Sequence, residues 1–241
     1  MIKPLIYNYF SFNSVSSLTL GIQISGSGTY NSPERAIERI SVPGRNGDLI
    51  RDLGKFNNVI IQYPAFIFGH FPNRSSDFRN VMLKDPFYHR LEDSYHPDEF
   101  RMASYAGPFE SDPFQNKSGN FTISFNCKPQ RFLKSGESKI DLKTETILNN
   151  PTFQTSLPLI VVLSGTGEIN INGEIVNLKK NENGVVIDCD IQEAYSKNGN
   201  LNLNGDLELT TGSYPILIPG INSILIPESM NSYIIPRWWR L

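Results

Sequence analysis

Three features of the 241-residue chain predict a mainly β protein. Apolar and polar residues alternate over most of its length, the period of strands with one face on a core. Five Asn-Gly dipeptides punctuate those runs, at 46–47, 172–173, 183–184, 198–199 and 204–205. Asn and Gly both tolerate positive φ, which tight hairpin turns demand, so Asn-Gly between alternating runs is a hairpin signal. Helical periodicity is confined to one short segment. Four of the five dipeptides fall within residues 172–205, so the C-terminal half reads as an antiparallel β-sandwich or barrel.

In chain order, the alternation predicts strands at Thr19–Ile24, Ile37–Val42, Val59–Phe68 and Asn120–Cys127. In the second half it predicts Leu159–Leu163, Glu168–Ile171, Glu174–Leu178, Val185–Ile191, Asn200–Leu203 and Leu207–Thr211. The single helix is expected after Ser75 or Ser76, which are suited to capping. Asp77 complements its positive N-terminal end, Phe78, Val81 and Met82 share one face, and Pro86 stops it. The polar stretch Leu133-Lys-Ser-Gly-Glu-Ser-Lys139 separates apolar runs, which places a domain boundary near residue 135: an N-terminal domain 1–135 and a C-terminal domain 136–241. Apolar character returns at the tail in Ile221–Leu241. There, Trp238-Trp239 beside Ile234, Ile235 and Leu241 reads as a buried lock on a terminal strand.

Composition narrows the function classes. Fifteen Phe, ten Tyr and two Trp at a net charge of −2 supply a large buriable surface, which argues against disorder. The same charge argues against nucleic-acid binding through bulk positive potential. It is unevenly spread: residues 1–140 hold 16 Lys and Arg against 13 Asp and Glu, whereas residues 141–241 hold 6 against 11. Cys127 and Cys189 lie in apolar alternating runs and read as small core residues, since two thiols make neither a disulfide framework nor a zinc ligand pattern. Met1-Ile-Lys-Pro-Leu-Ile-Tyr7 lacks the apolar core of a signal peptide, and no apolar run approaches the roughly 20 residues of a membrane span. The expectation is a chain folded in a cytoplasm.

Catalytic constellations are not apparent. His89, Glu92, Asp93 and His96 bring metal-ligating atom types together, but their spacing matches neither a zincin helix nor a finger; a polar loop is the simpler reading. Neither cysteine lies beside a base in sequence, and no Gly-x-Ser-x-Gly elbow occurs. Gly26-Ser-Gly28 and Gly165-Thr-Gly167 lack the following helix and third glycine of a phosphate loop, so both read as turns. No metal, no cofactor and no enzymatic activity is expected.

Three stretches, in order, carry a family resemblance: Ile40-Ser-Val-Pro-Gly-Arg-Asn-Gly-Asp-Leu49, Tyr88-His-Arg-Leu-Glu-Asp-Ser-Tyr-His-Pro-Asp-Glu-Phe-Arg-Met-Ala103 and Gly119-Asn-Phe-Thr-Ile-Ser-Phe-Asn-Cys-Lys-Pro-Gln-Arg-Phe-Leu133. With Asn150-Pro-Thr, Pro158-Leu-Ile, Pro219-Gly-Ile-Asn and Ile235-Pro-Arg-Trp-Trp they span nearly the whole chain. Together they resemble the distal tail proteins of long, non-contractile-tailed phages and prophages of Gram-positive bacteria. The resemblance implies an N-terminal β-sandwich with one helix and an extended hairpin, and a C-terminal galectin-like β-sandwich. It also implies a homo-hexameric ring at the virion tail tip, assembled in the host cytoplasm. Its implied partners are the tail tube protein, a tail-associated adhesin or lysin and, in several relatives, receptor-binding proteins. On that basis Arg45, Arg90, Glu92, Asp93, Asp98 and Arg101 are candidate ring-interface residues, through charge pairs held in fixed geometry. The alternative is a module that binds host wall polysaccharide, with Tyr195 and Tyr214 as stacking aromatics. A wall hydrolase has less support, because no carboxylate pair stands out.

Overall fold

A computed structural model describes residues 7–26, 28, 30–115 and 117–241. Most of the Met1–Tyr7 segment and the centre of Gly26-Ser-Gly28 therefore lie outside the described residues. The chain forms two compact units, one of Met1–Arg131 with Leu241 and the other of Phe132–Arg240.

The first unit contains β1 (Phe10–Phe12), β2 (Val15–Ser16), β3 (Ile22–Ile24), β4 (Arg35–Ile40), β5 (Leu49–Phe56) and β6 (Val59–Phe68). The helix α1 (Phe71–Met82) follows, then β7 (His89–Asp93), β8 (Glu99–Ser104), β9 (Ser111–Phe114) and β10 (Ser118–Cys127). Its main sheet runs β2-β1-β7-β8-β10-β6-β3, with β9 also on β10. The long pair β6 and β10 is antiparallel in unbroken register from Val59↔Cys127 to Phe68↔Ser118. Strict alternation buries Val59, Ile61, Tyr63, Ala65 and Ile67 on one face of β6. Tyr63 stacks on Phe10 of β1 at 5.8 Å between ring centroids, and Phe12 meets Phe125 of β10 at 5.2 Å. Strands three and four places apart in the order thus face each other, and the sheet closes over an aromatic core as the expected β-sandwich.

The helix begins earlier than the capping serines suggest. Pro72 lies in its first turn, where a missing N–H costs nothing and a fixed φ assists. His70 supplies the left-handed cap at φ 52°. Ser75 is inside the helix, buried, and its hydroxyl donates to the Pro72 carbonyl at 3.0 Å. Phe71, Phe78 and Met82 face the sheet, where Phe78 makes edge contacts with Phe121 and Tyr105.

After β11 (Arg131–Leu133), the second unit comprises β12 (Ile140–Asp141), β13 (Glu145–Asn150), β14 (Leu159–Ser164), β15 (Gly167–Ile171), β16 (Glu174–Leu178) and β17 (Val185–Asp188). It continues with β18 (Glu193–Ser196), β19 (Leu207–Leu209), β20 (Gly220–Leu225), β21 (Asn231–Ile235) and β22 (Trp239–Arg240). Two five-stranded sheets, β12-β21-β14-β17-β18 and β13-β20-β15-β16-β19, share a core of Ile160, Ile187 and Ile234 from one and Ile169, Val176 and Ile224 from the other. This is a β-sandwich. Of the Asn-Gly pairs, Asn172-Gly173 is the two-residue turn between β15 and β16, with φ of 56° and 94°. Asn204-Gly205 instead opens a short 3-10 turn, because the Asn204 side chain accepts from the Ala194 N–H at 2.5 Å. Asn200–Leu203, expected as a strand, makes one isolated bridge, Asn202 to Tyr195. Cys127 and Cys189 are buried and free, and burial pushes both thiols up to about 12.

Candidate functional site

The feature of the first unit that its own core does not account for is the hairpin β4–β5. Among the described residues its strands pair only with each other, in a two-stranded sheet. Arg39↔Ile50 and Ile40↔Leu49 are opposite one another in register. Since directly opposed residues share a face, Ile40, Leu49 and Leu53 line one side and Ile50 the other. All four are exposed, from 39% at Ile40 to 58% at Ile50. The ribbon is held by its ladder and by two surface ion pairs, Arg35 with Asp52 and Arg51 with Glu38. Arg45 lies in the exposed loop joining the strands, where Gly44 and Gly47 take φ near +80°.

The other predicted interface residues cluster around β7, β8 and the turn between them, in a strand pair where a loop was expected. The Arg90 guanidinium donates to Glu92 and lies 3.8 Å from the centroid of the Phe100 ring. Asp93 is engaged within the chain. It accepts from the Tyr63 hydroxyl at 2.6 Å, from the backbone N–H groups of Tyr95 and His96, and pairs with a His96 ring nitrogen at 3.0 Å. Burial, with the Asp93 charge and hydrogen bond added, holds the Tyr63 hydroxyl well above its ordinary value. Glu99 is buried 3.6 Å from the Arg131 guanidinium. Arg101 lines the same small cavity, and burial lowers its guanidinium from the usual range. The cavity measures about 20 Å³, room for one water. Asp98 stands exposed in the β7–β8 turn. The structure thus ties Arg90, Glu92 and Asp93 into intrachain pairs and leaves Arg45 and Asp98 open.

His89 and His96 do not converge: His89 pairs with Asp85 at 2.6 Å and His96 with Asp93. Among the described residues, no three His, Cys, Asp or Glu side chains are placed to hold one metal ion. Gly165 and Thr166 connect β14 to β15, and Gly167 opens β15. Tyr195 and Tyr214 are half-buried, and Tyr214 packs on the second core. Trp238 is buried against that core, while Trp239 is half-exposed and donates from its indole N–H to the Thr155 carbonyl at 2.9 Å.

The fold is similar to that of the crystal structure of SPP1 Dit (gp 19.1), described as a paradigm of the hub adsorption apparatus in Gram-positive infecting phages. The TM-score is 0.76 over 98% of this chain and 100% of that one, at 15% identity. The chain has the Dit fold. No family model matches the sequence, and no curated protein matches it. The hairpin's exposed aliphatics were missed by sequence reasoning, because Leu49–Phe56 does not alternate and no strand was expected there, and because alternation in Ile37–Val42 does not say what covers its apolar face. A usable signal was present in the separation of Ile37–Val42 from its neighbours by a long Pro-Gly-rich loop.

Proposed function

We propose that this chain is a structural hub subunit of a phage tail tip. It closes into a homo-hexameric ring that joins the tail tube to a tail-associated adhesin or lysin, and its C-terminal unit carries receptor-binding proteins. The observation that carries this reading is the outer part of the β4–β5 ribbon, exposed on both faces over Glu38–Ile40 and Leu49–Lys55, in a chain with the fold of a hub adsorption protein. An isolated two-stranded ribbon is marginal in water. A neighbouring copy packed on Ile40, Leu49 and Leu53 supplies the apolar support that the chain itself does not. Ring closure requires two different patches per subunit, and the hairpin is one of them. Arg45 at its tip and Asp98 in the β7–β8 turn are the exposed charges that meet a neighbour. Arg90, Glu92, Asp93 and Arg101 serve the interface by fixing the strand pair that displays Asp98.

The subunit assembles in the host cytoplasm and resides at the virion tail tip. It works without a cofactor or a reaction, and it neither retains nucleic acid by affinity nor enters a membrane; no helix among the described residues is long and apolar enough to cross one. Light scattering coupled to size exclusion tests the ring: a mass near six or twelve subunits, with a central channel in negative-stain images, is expected. A monomer at every concentration, together with antibody labelling that misses the tail tip in whole particles, refutes the proposal. A glycan array tests the polysaccharide alternative on the same sample, and silence is expected from half-buried tyrosines.

A further inference from the structure

We infer that the C-terminal unit docks a protein partner through Phe153 and the adjoining outer face of the β13-β20-β15-β16-β19 sheet. The partner presents an apolar pocket for the ring and, apart from it, a lysine- or arginine-rich patch for the glutamates at the other end of the sheet. This deepens the tail-tip reading above and rests on it.

Phe153 is 95% exposed, the most exposed large apolar residue among the described residues. Its loop is nonetheless tightly held. Asn150 and Thr152 are buried beneath it. The Asn150 carboxamide accepts from the Thr152 N–H at 3.0 Å and its hydroxyl at 2.9 Å, and donates to the Gln154 carbonyl at 2.9 Å. The Thr152 hydroxyl in turn accepts from the Gln154 N–H at 3.3 Å. Two buried polar side chains therefore fix the backbone on either side of a phenylalanine whose ring stands in water. A ring displayed on an ordered loop loses little conformational freedom on docking, which is what makes aromatic anchors effective at interfaces.

The surroundings specify the partner. Asn150 is opposite Gly220 in register, so the loop stands at the Ile221 end of the β13–β20 pair. Ile221 and Ile147 are 72% and 60% exposed on the outer face there. Every ionised residue on the five strands of this sheet is a glutamate: Glu145, Glu168, Glu174 and Glu208. Glu168 and Glu208 share a row across Asn177, and Glu145 is opposite Leu225. Lys179, just beyond β16, is already paired with Glu208 at 3.0 Å. A second copy docking through this same face would set glutamates against glutamates, which charge repulsion opposes. The glutamates lie at the Leu225 end of the sheet, at least five residues, about 17 Å, along β13 from the Phe153 loop. The complementary surface is therefore an apolar pocket for Phe153 with a Lys or Arg patch about that far from it.

The test is photo-crosslinking from Phe153→benzoylphenylalanine in the full chain assembled into tail particles. The expected result is an adduct with a different protein, at a peptide rich in aliphatic residues. Glu145→Lys with Glu168→Lys is expected to reduce the adduct at least tenfold while the thermal midpoint of the purified chain stays within about 2 °C, as for exposed surface changes. An adduct to this chain's own peptides, or to carbohydrate, overturns the inference. So does a normal copy number in particles with no adduct, or an adduct indifferent to charge reversal. If the chain is missing from tail particles altogether, the tail-tip reading fails and the inference fails with it.

Discussion

Replacing Ile40, Leu49 and Leu53 together by threonine separates the assembly role of the hairpin from the stability of the chain. The three side chains are 39%, 49% and 49% exposed. Full burial of a Leu or Ile side chain is worth about 1.5–3 kcal/mol, so covering the exposed part of each contributes about 1 kcal/mol. Threonine keeps β propensity and one methyl group, which leaves a net loss of about 2 kcal/mol for the three. At about 1.4 kcal/mol per factor of ten, each hairpin contact weakens roughly thirtyfold. Because a ring repeats that contact at every junction, the mass profile in light scattering shifts from ring to monomer at concentrations where the unchanged chain is assembled. The monomer's thermal midpoint should hardly move, since none of the three belongs to the aromatic core. An unaltered ring mass over the whole concentration range, with the triple variant folded, would refute the argument. A large loss of monomer stability would refute it too, by showing that the ribbon is bound within its own chain.

Other expectations follow from the cores and the ion pairs. Burial raises the Asp188 carboxyl, but two hydrogen bonds from Arg237 at 2.6 and 2.9 Å, with its charge, outweigh this and hold it below the ordinary carboxylate value. A depressed folded pKa stabilises above the unfolded value of about 3.9 and loses that contribution as pH falls through the folded value. Asp188→Asn should therefore cost about 2 kcal/mol at pH 7 and flatten the acid limb below about pH 4 in denaturant titrations, and an unchanged limb would count against the pair. Phe125→Ala removes a fully buried ring that touches Phe10, Phe12, Tyr63 and Tyr105; urea unfolding should show a loss of about 3–5 kcal/mol in the first unit. Gly136→Ala would place a methyl carbon 2.3 Å from the Trp238 backbone nitrogen. The resulting strain of about 1–3 kcal/mol should red-shift tryptophan emission, and unchanged fluorescence would mean that the contact relaxes. Both cysteines should resist a thiol reagent in the native protein and react after denaturation, two per chain.

Much of the fold was legible because it depends on local rules. The Val59–Phe68 and Glu174–Leu178 strands have the bounds that alternation predicts, since a face on a core imposes period two wherever the chain lies. Asn172-Gly173 was readable for a similar reason: two successive residues at positive φ admit few others. Where a residue has two physically sound roles, the sequence could not choose. Ser75 suits a cap and a helix interior equally, and Pro72 decided between them. Asn204-Gly205 became a 3-10 turn because Ala194, ten residues away, offered an N–H to its side chain.

The candidate sites divide along the same line. Sequence marked Arg90, Glu92 and Asp93 as a charged cluster, but whether a charge pairs within the chain or across subunits depends on distances. Only the tertiary structure put Asp93 2.6 Å from Tyr63. Exposure of Ile40, Leu49 and Leu53 on the hairpin, and of Phe153 on its locked loop, was equally hidden, because an apolar side chain reads the same in a core and in water. By itself the sequence determined the strand-rich class, the Asn172-Gly173 hairpin turn and the alternation that buries one face of strands such as Val59–Phe68. What the tertiary structure decided was which apolar surfaces the chain satisfies internally and which it leaves for partners, since burial is a property of neighbours brought together by folding and not of the residue alone.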